Sequence, residues 1–348
     1  MKRFAPTRGK VLSAAAATLA VAAPIGFTSL TSSASAATGS LTGAGSTLVA
    51  PLEAEWASAF ASKTGNTVNY NPVGSGTGIA QISAGTVDFG ASDAPLNPTQ
   101  AAGCHNCIQI PWALSATGVG YNVPGAGRKL HLTGSLLAGI YLGQITNWND
   151  PRIARVNKGV HLPNLQITPV FRSDGSGDTY AFTNYLSHVS GAWNSRVGLG
   201  TSVSFPTGAS GKGNSGVTAV LQGTPGSVAY IAVSYLIAHQ LPAVAIQNAA
   251  GRYEYPNLAN IENAAAGVKH LPANMALSIV NPSKRAKIAY PISTFTYVIA
   301  PTTAPQGALL KAFVKYALGP GHSFGANLDF APLPRVVVKA DKAAVNRL

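Results

Sequence analysis

The residues best suited to chemistry form the run Phe171-Arg172-Ser173-Asp174-Gly175-Ser176-Gly177-Asp178-Thr179. It lies between an apolar strand-like segment, Ile167 to Phe171, and a helix-like segment, Thr179 to Leu186. A glycine-rich turn between strand and helix leaves backbone N–H groups unpaired, with the positive end of the helix dipole behind them. Such a turn seats an anion. Arg172 adds a permanent cation whose fork matches a tetrahedral oxyanion, and Asp174 is spaced to hold that guanidinium and offset its charge. The same residues also fit a plain capped helix start with a surface Arg–Asp pair.

Two further stretches repeat the pattern. Gly43-Ala44-Gly45-Ser46-Thr47-Leu48 precedes the run Leu52 to Lys63, where Pro51 suits a first helical turn and Leu52, Trp56 and Phe60 share a face. Gly74-Ser75-Gly76-Thr77-Gly78 follows a strand-like Val68 to Tyr70 and precedes a short helix, Ile79 to Ala84. Neither carries the Gly-Lys-Ser/Thr ending of a nucleotide-hydrolase loop. A fourth segment, Val87 to Leu96, reads as a strand ending in a turn that holds Asp93. A carboxylate beside an anion seat suits a ligand that brings a proton to donate. Phosphate near neutral pH does so and sulfate does not, a mismatch that can be worth roughly four orders of magnitude in selectivity.

Those turns need a scaffold of strands and helices, and the composition supplies one. The chain has 348 residues, 46% hydrophobic, with 37 Gly and 23 Pro, as expected of a globular α/β protein of one large or two medium domains. Lys2, Arg3, Arg8 and Lys10 precede an apolar run, Val11 to Phe27, and a small-residue stretch ending at Ala37. This is the layout of a secretory signal over residues 1–36, so an exported chain without a lipid anchor is expected. Its removal would leave a net charge of +9 (13 − 4). A basic surface favours anionic partners, but the cations are dispersed, so no nucleic acid is expected. Cys104 and Cys107 read as a local disulfide staple, and scattered histidines give no metal site. The four Trp are read as packing residues, and Lys339 to Leu348 as a fraying end.

Taken together, Gly43 to Thr47, Gly74 to Gly76, Val87 to Leu96 and Arg172 to Gly177 resemble the ligand-binding motifs of the phosphate-binding protein of bacterial phosphate ABC transporters, a solute-binding protein family. Similarity continues in order through Ile140 to Gly143, Trp148 to Asp150, Gly211 to Asn214, Pro225 to Tyr230, Tyr290 to Ser293 and Leu328 to Pro334. The resemblance implies a two-lobed α/β clamp of the periplasmic-binding-protein type, each lobe a sheet flanked by helices. One lobe would take residues 37–118 and 288–348, and the other 119–287. It implies a non-enzymatic monomer that needs no cofactor, captures inorganic phosphate between the lobes and delivers it to membrane permease components.

Carried over by position, Thr47 would donate its hydroxyl and N–H, Leu48 its N–H, and Ser75 its hydroxyl. Asp93 would accept the phosphate proton, Arg172 would pair with the anion, and Ser176 and Gly177 would donate from the third turn. Ser46, Gly76 and Asp174 would support them. One position departs from the family pattern: Asp178 stands where Thr is common. Turned away, it would cap the helix, with a dipole benefit of about 0.3–1 kcal/mol. Turned inward, it would accept a second ligand proton. Arsenate, which carries a similar proton, and a secreted phosphatase are the alternative readings.

Overall fold

A computed structural model describes residues 38–348. The signal segment assigned to residues 1–36 lies outside them. The first half of the fold runs β1 (Ser40–Gly45), α1 (Ala50–Thr64), β2 (Thr67–Asn71), α2 (Ser75–Ser83), β3 (Phe89–Ser92), α3 (Pro98–Gly103), β4 (Cys107–Asn122), β5 (His131–Leu132), α4 (Gly134–Tyr141), α5 (Pro151–Val156) and β6 (Thr168–Arg172). It continues with α6 (Gly177–Val189), α7 (Gly191–Arg196), β7 (Ala209–Gly211), α8 (Gly213–Gly223), β8 (Ser227–Ala232), α9 (Val233–Ala238), β9 (Ala245–Gln247), β10 (Tyr253–Glu254), α10 (Leu258–Ala265), β11 (Ser293–Pro301), α11 (Gly307–Ala317) and α12 (Arg335–Val345).

One curled sheet has the order β2-β1-β3-β11-β4-β8-β6-β7, and a small sheet has the order β10-β9-β5. The long strand β4 holds the large sheet together by changing partner along its length. Cys107 to Ala116 pair antiparallel with β11, and Thr117 to Asn122 pair with β8. Parallel strands flank both sides, as β2-β1-β3 and β8-β6-β7, each reached through helical crossovers. This is the two-lobed α/β architecture expected.

Each side of β4 has an aromatic core. Trp56, Phe60, Phe89, Trp112 and Phe313 pack on one side, where Trp56 and Trp112 meet edge-on at 5.0 Å. Tyr141, Trp148, Phe182, Trp193 and Tyr230 pack on the other, where Phe182 and Tyr230 stack at 4.5 Å. All four Trp are fully buried, and burying such side chains contributes on the order of 2–3 kcal/mol each. Leu52, Trp56 and Phe60 form the buried face of α1, which Pro51 opens and Gly65 ends with φ 74. Cys104 and Cys107 are joined in a local disulfide.

Three expectations need correction. Gly43 to Gly45 belong to β1, so only Ser46 to Val49 form the first turn. The second glycine-rich stretch is helical from Ser75, because glycine lets this short helix lie flush on β1, where a Cβ at Gly78 would meet the backbone of Ala44 and Gly45. Residues 339–345 do not fray. They complete α12, whose buried face is Val337, Ala344 and Val345 with Asp341 set among them, and that one acid obscures the stripe in the sequence.

Two carboxyls sit inside the fold without hydrogen-bond partners on their buried oxygens: Glu53 on α1 and Asp341 on α12. Burial pushes each from the ordinary carboxylate range to about 8. The unfolded chain ionises them from about pH 4–5 and the folded chain only near pH 8, so folding holds their protons and stability falls as pH rises across that window. Glu53→Gln and Asp341→Asn should therefore each gain roughly 1–3 kcal/mol relative to the parent at about pH 8 and little at about pH 5, read by urea unfolding. A gain that is equal at both pH values would contradict the buried-proton account.

Candidate functional site

The three glycine-rich stretches and the Asp93 turn converge where the two halves of the large sheet face each other. Asp93 leaves β3 fully buried, and its carboxylate accepts from Ser46 Oγ at 2.7 Å on both oxygens, from Thr296 Oγ1 at 2.8 Å, and weakly from Ser75 Oγ at 3.5 Å. Thr296 lies on β11 where its register with β4 shifts, an irregularity of the kind that re-aims a side chain. Ser46 Oγ also accepts from Leu48 N at 3.0 Å and Val49 N at 3.3 Å.

On the facing side, Arg172 ends β6 with its guanidinium buried. Nε donates to Asp174 Oδ1 at 2.8 Å, Nη2 donates to Asp174 Oδ2, and Nη1 donates to Asp178 Oδ2 at 3.1 Å. Asp174 is therefore the fork partner anticipated for Arg172, and Gly213 N adds a donor to it at 2.9 Å. Its place leaves no room for a side chain at Gly74, whose φ of 94 also favours glycine. Ser176 caps α6 by accepting from Thr179 N at 3.3 Å.

Asp178 does not turn away to cap the helix. It is fully buried in the first turn of α6 and accepts from Thr117 Oγ1 at 2.7 Å, Asn214 Nδ2 at 2.8 Å and Arg172. The cap is already taken by Ser176, and three inward donors outweigh a surface dipole contact.

The two sides are closed on each other by direct bonds. Gly177 N donates to Ser75 Oγ at 3.1 Å, Gly76 N to Gly175 O at 2.9 Å, and Asn214 Nδ2 to Thr47 Oγ1 at 2.8 Å. A Cβ at Gly177 would overlap Asp93, so glycine is required for this approach. Thr47, Ser75, Asp93, Arg172, Ser176 and Gly177 are thus brought together, with Leu48 N turned to Ser46.

Burial raises Asp93, and the nearby Asp178 charge raises it further against the donors Ser46 and Thr296 and the cation Arg172. Burial likewise raises Asp178, against Arg172, Thr117 and Asn214. For Asp174 burial acts upward too, but its bonds to Arg172 outweigh that and hold it below the usual range.

The sequence reading missed Thr117, Thr296 and Asn214. No local signal marks the threonines, since both lie within apolar strands, whereas Asn214 sits in a segment that had carried the family likeness without a role. Asn214 Oδ1 accepts from Ala232 N at 2.9 Å, which orients the amide so that both hydrogens of Nδ2 point at acceptors, one on each side of the cleft. Thr47 Oγ1 accepts that bond and keeps its own hydrogen for another partner. Asn214→Ala would strip a donor from Asp178 and an acceptor from Ala232 N–H, so a loss of roughly 2–4 kcal/mol in urea unfolding is expected. A change under about 0.5 kcal/mol would show that the strut carries no strain of closure.

A family model described as a PBP superfamily domain matches residues 31–320. The phosphate-binding protein PstS of Xylella fastidiosa is 38% identical over 310 residues, covering 87% of this chain and 84% of that protein. PstS of Pasteurella multocida is 38% identical over 307 residues, with 87% and 89% covered. Among solved structures, a high-affinity periplasmic phosphate-binding protein, PfluDING, bound with phosphate, aligns with a TM-score of 0.70 at 20% identity over 87% of this chain and 93% of that one. A substrate-binding protein with bound phosphate from Clostridium perfringens aligns with a TM-score of 0.63 at 19% identity, over 85% and 100%. The chain belongs to the PBP superfamily and, within it, to the PstS family of phosphate-binding proteins.

Proposed function

We propose that this chain is an extracytoplasmic receptor that binds inorganic phosphate between its two lobes and delivers it to the permease of an ABC transporter. The observation that carries this reading is the pairing of donors and acceptors on one closed cleft. Arg172 and the Thr47, Ser75 and Ser176 hydroxyls supply donors, the Leu48 and Gly177 N–H groups, which donate here to Ser46 Oγ and Ser75 Oγ, would join them on binding, and Asp93 supplies an acceptor for a ligand proton. The phosphate binding of the PstS relatives and the basic net charge of the chain support it. We assign residues 37–118 and 288–348 to one lobe and 119–287 to the other. Export through residues 1–36, without a lipid anchor, and action as a monomer complete the proposal.

The same site supports binding rather than turnover. Among the described residues, Ser46, Ser75 and Ser176 bond to Asp93, backbone groups or each other's turns and to no histidine that could act as a base. Titration calorimetry of refolded protein should give micromolar or tighter phosphate binding, about 8 kcal/mol or more, with sulfate silent. Arsenate, which carries a matching proton, should also bind. Binding of sulfate with comparable strength would sink the role given to Asp93.

Charge sets the pH dependence. With all groups ionised, Arg172 (+1) and Asp93, Asp174 and Asp178 (−3) sum to −2 (1 − 3), and a dianion would meet net repulsion. The site is therefore assigned to the monobasic ion, which donates one proton to Asp93 and one to Asp178. Lowering the pH enriches the monobasic ion that carries both donated protons, and raising it removes one of those protons and adds repulsion between the dianion and the buried carboxylates. Phosphate should bind about tenfold tighter at about pH 5.5 than at about pH 8. Asp178→Thr should flatten that difference by improving binding at the higher pH. Tighter wild-type binding at the higher pH would exclude the two-proton arrangement.

A further inference from the structure

The segment from Ala266 to Ile292 joins α10 to β11 through 27 residues (292 − 266 + 1) with no helix or strand. Loops of more than about 12–15 residues without secondary structure are uncommon in compact folds and are usually functional. This one also holds Met275 at φ 60 and Asn281 at φ 48, two of the five non-glycine residues with positive φ among the described residues. Strain of that kind persists where surrounding structure enforces it.

Together with the end of α10, the loop encloses a crevice of about 680 Å³, lined in part by Asn263, Lys269, His270, Ser278, Ser283 and Arg285. That size lies within the roughly 300–1,000 Å³ usual for ligand sites. Residues 263–287 contain Lys269, Lys284, Arg285 and Lys287 and no Asp or Glu, the nearest acid being Glu262. All four cations are exposed, and the ion pairs among the described residues include none of them. Asn263, by contrast, has a buried side-chain oxygen with no hydrogen-bond partner.

These features differ in kind from the interlobe cleft. There, short directed bonds join the two sides around Asp93, Arg172 and Asp178. Here, Lys269 and Arg285 line a crevice and the exposed Lys284 and Lys287 lie near Arg285 in the chain, an arrangement that suits successive charges along a polymer better than one tetrahedral ion. The orphaned Asn263 oxygen calls for a donor on the ligand, which a hydroxyl supplies and a bare polyphosphate lacks. Residues 263–287 hold no Phe, Tyr or Trp, and Tyr290 beyond them is fully buried, so nothing there stacks a base, which disfavours nucleic acid.

We propose that this crevice binds a linear phosphodiester chain with free hydroxyls, such as a poly(glycerol phosphate): the phosphates meet Lys269 and Arg285 in the crevice and continue past it to Lys284 and Lys287, which neighbour its lining in sequence, and a repeat hydroxyl donates to Asn263. The site is separate from the interlobe cleft and goes beyond the phosphate-receptor reading.

The test is fluorescence anisotropy of a labelled poly(glycerol phosphate) of about ten repeats at about 50 mM salt, with the full chain and two variants of equal charge change. One variant carries Lys269→Gln, Lys284→Gln, Arg285→Gln and Lys287→Gln. The control carries Lys315→Gln, Arg335→Gln, Lys339→Gln and Lys342→Gln, on and beside α11 and α12. The crevice variant should lose at least about tenfold in affinity and roughly 3 in the log–log salt slope, while the control stays within about twofold. Inorganic polyphosphate of equal phosphate count should bind the wild type several-fold more weakly. Equal loss in both variants would reduce the effect to diffuse charge, and absence of wild-type binding would remove the site altogether. Single-stranded RNA binding as tightly would overturn the polymer assignment, and polyphosphate binding as tightly would overturn the Asn263 contact. Phosphate titration of the cleft should be unchanged in both variants, which reports intact folding and keeps this outcome independent of the receptor reading.

Discussion

One buried guanidinium shared by two carboxylates, with a third carboxylate facing it, is the constraint that organises this molecule. Arg172 is neutralised by Asp174 through a two-pronged pair, yet it also donates to Asp178, and its charge acts on Asp93. A buried ion pair stabilises little once desolvation is counted, so a surplus of buried acid is costly unless donors or protons offset it. The fold supplies donors from four directions: Ser46 from the first turn, Thr296 from β11, Thr117 from β4 and Asn214 from α8. What they leave uncompensated is the surplus of buried negative charge, and under the proposed receptor reading a ligand that brings protons would offset it where sulfate would not.

The backbone places those donors through two irregularities of the same strand pair. β4 gives up β11 for β8 between Ala116 and Thr117, and Thr117 is the residue that reaches Asp178. β11 shifts register after Thr296, and Thr296 is the residue that reaches Asp93. The two raised carboxylates are thus held by neighbouring strands at the very positions where the sheet changes course. Any relative rotation of the sheet's two halves must pass through β4, so it would also alter the hydrogen bonds that set the proton affinity of Asp178. Asn214 adds a direct tie, since one amide spans Thr47 on one side and Asp178 on the other. Closure and protonation are therefore linked through shared hydrogen bonds rather than through distance.

What the sequence disclosed and what it hid follow from the range of the interactions. The Arg172–Asp174 spacing and the Leu52, Trp56, Phe60 stripe are local, and the structure places them as their spacing implies, whereas two of the three glycine clusters fall into β1 and α2 rather than into turns. Asp178 misled because its local options, a cap or a ligand contact, are indistinguishable until Ser176 is seen to hold the cap and Thr117, from 61 residues away, is seen to meet it. Thr296 lies 203 residues from Asp93, and no periodicity connects them. The helical reading of Ser75 to Gly78 was obscured by glycine, which weakens helix propensity but is needed where the helix rests on β1. In α12 the buried Asp341 interrupts the apolar stripe that would otherwise have revealed the helix.

Charge is divided between surface and interior in a way that composition conceals. Residues 38–348 carry 20 Lys and Arg (24 − 4), and with Arg172 buried 19 remain outside (20 − 1). Of the 11 acids, Glu53, Asp93, Asp178 and Asp341 are buried, leaving 7 (11 − 4), so the outer balance is +12 (19 − 7) rather than the +9 (20 − 11) of residues 38–348 as a whole. The field seen at a distance is attractive to any anion and does not discriminate among them. At the cleft the sign of the local demand reverses, because an arriving ion meets carboxylates that accept only from a donor. Phosphate and sulfate would be gathered alike by the exterior and separated only on entry. A basic shell around an acidic site would let capture and selection fall to different residues and to different ranges of the same force.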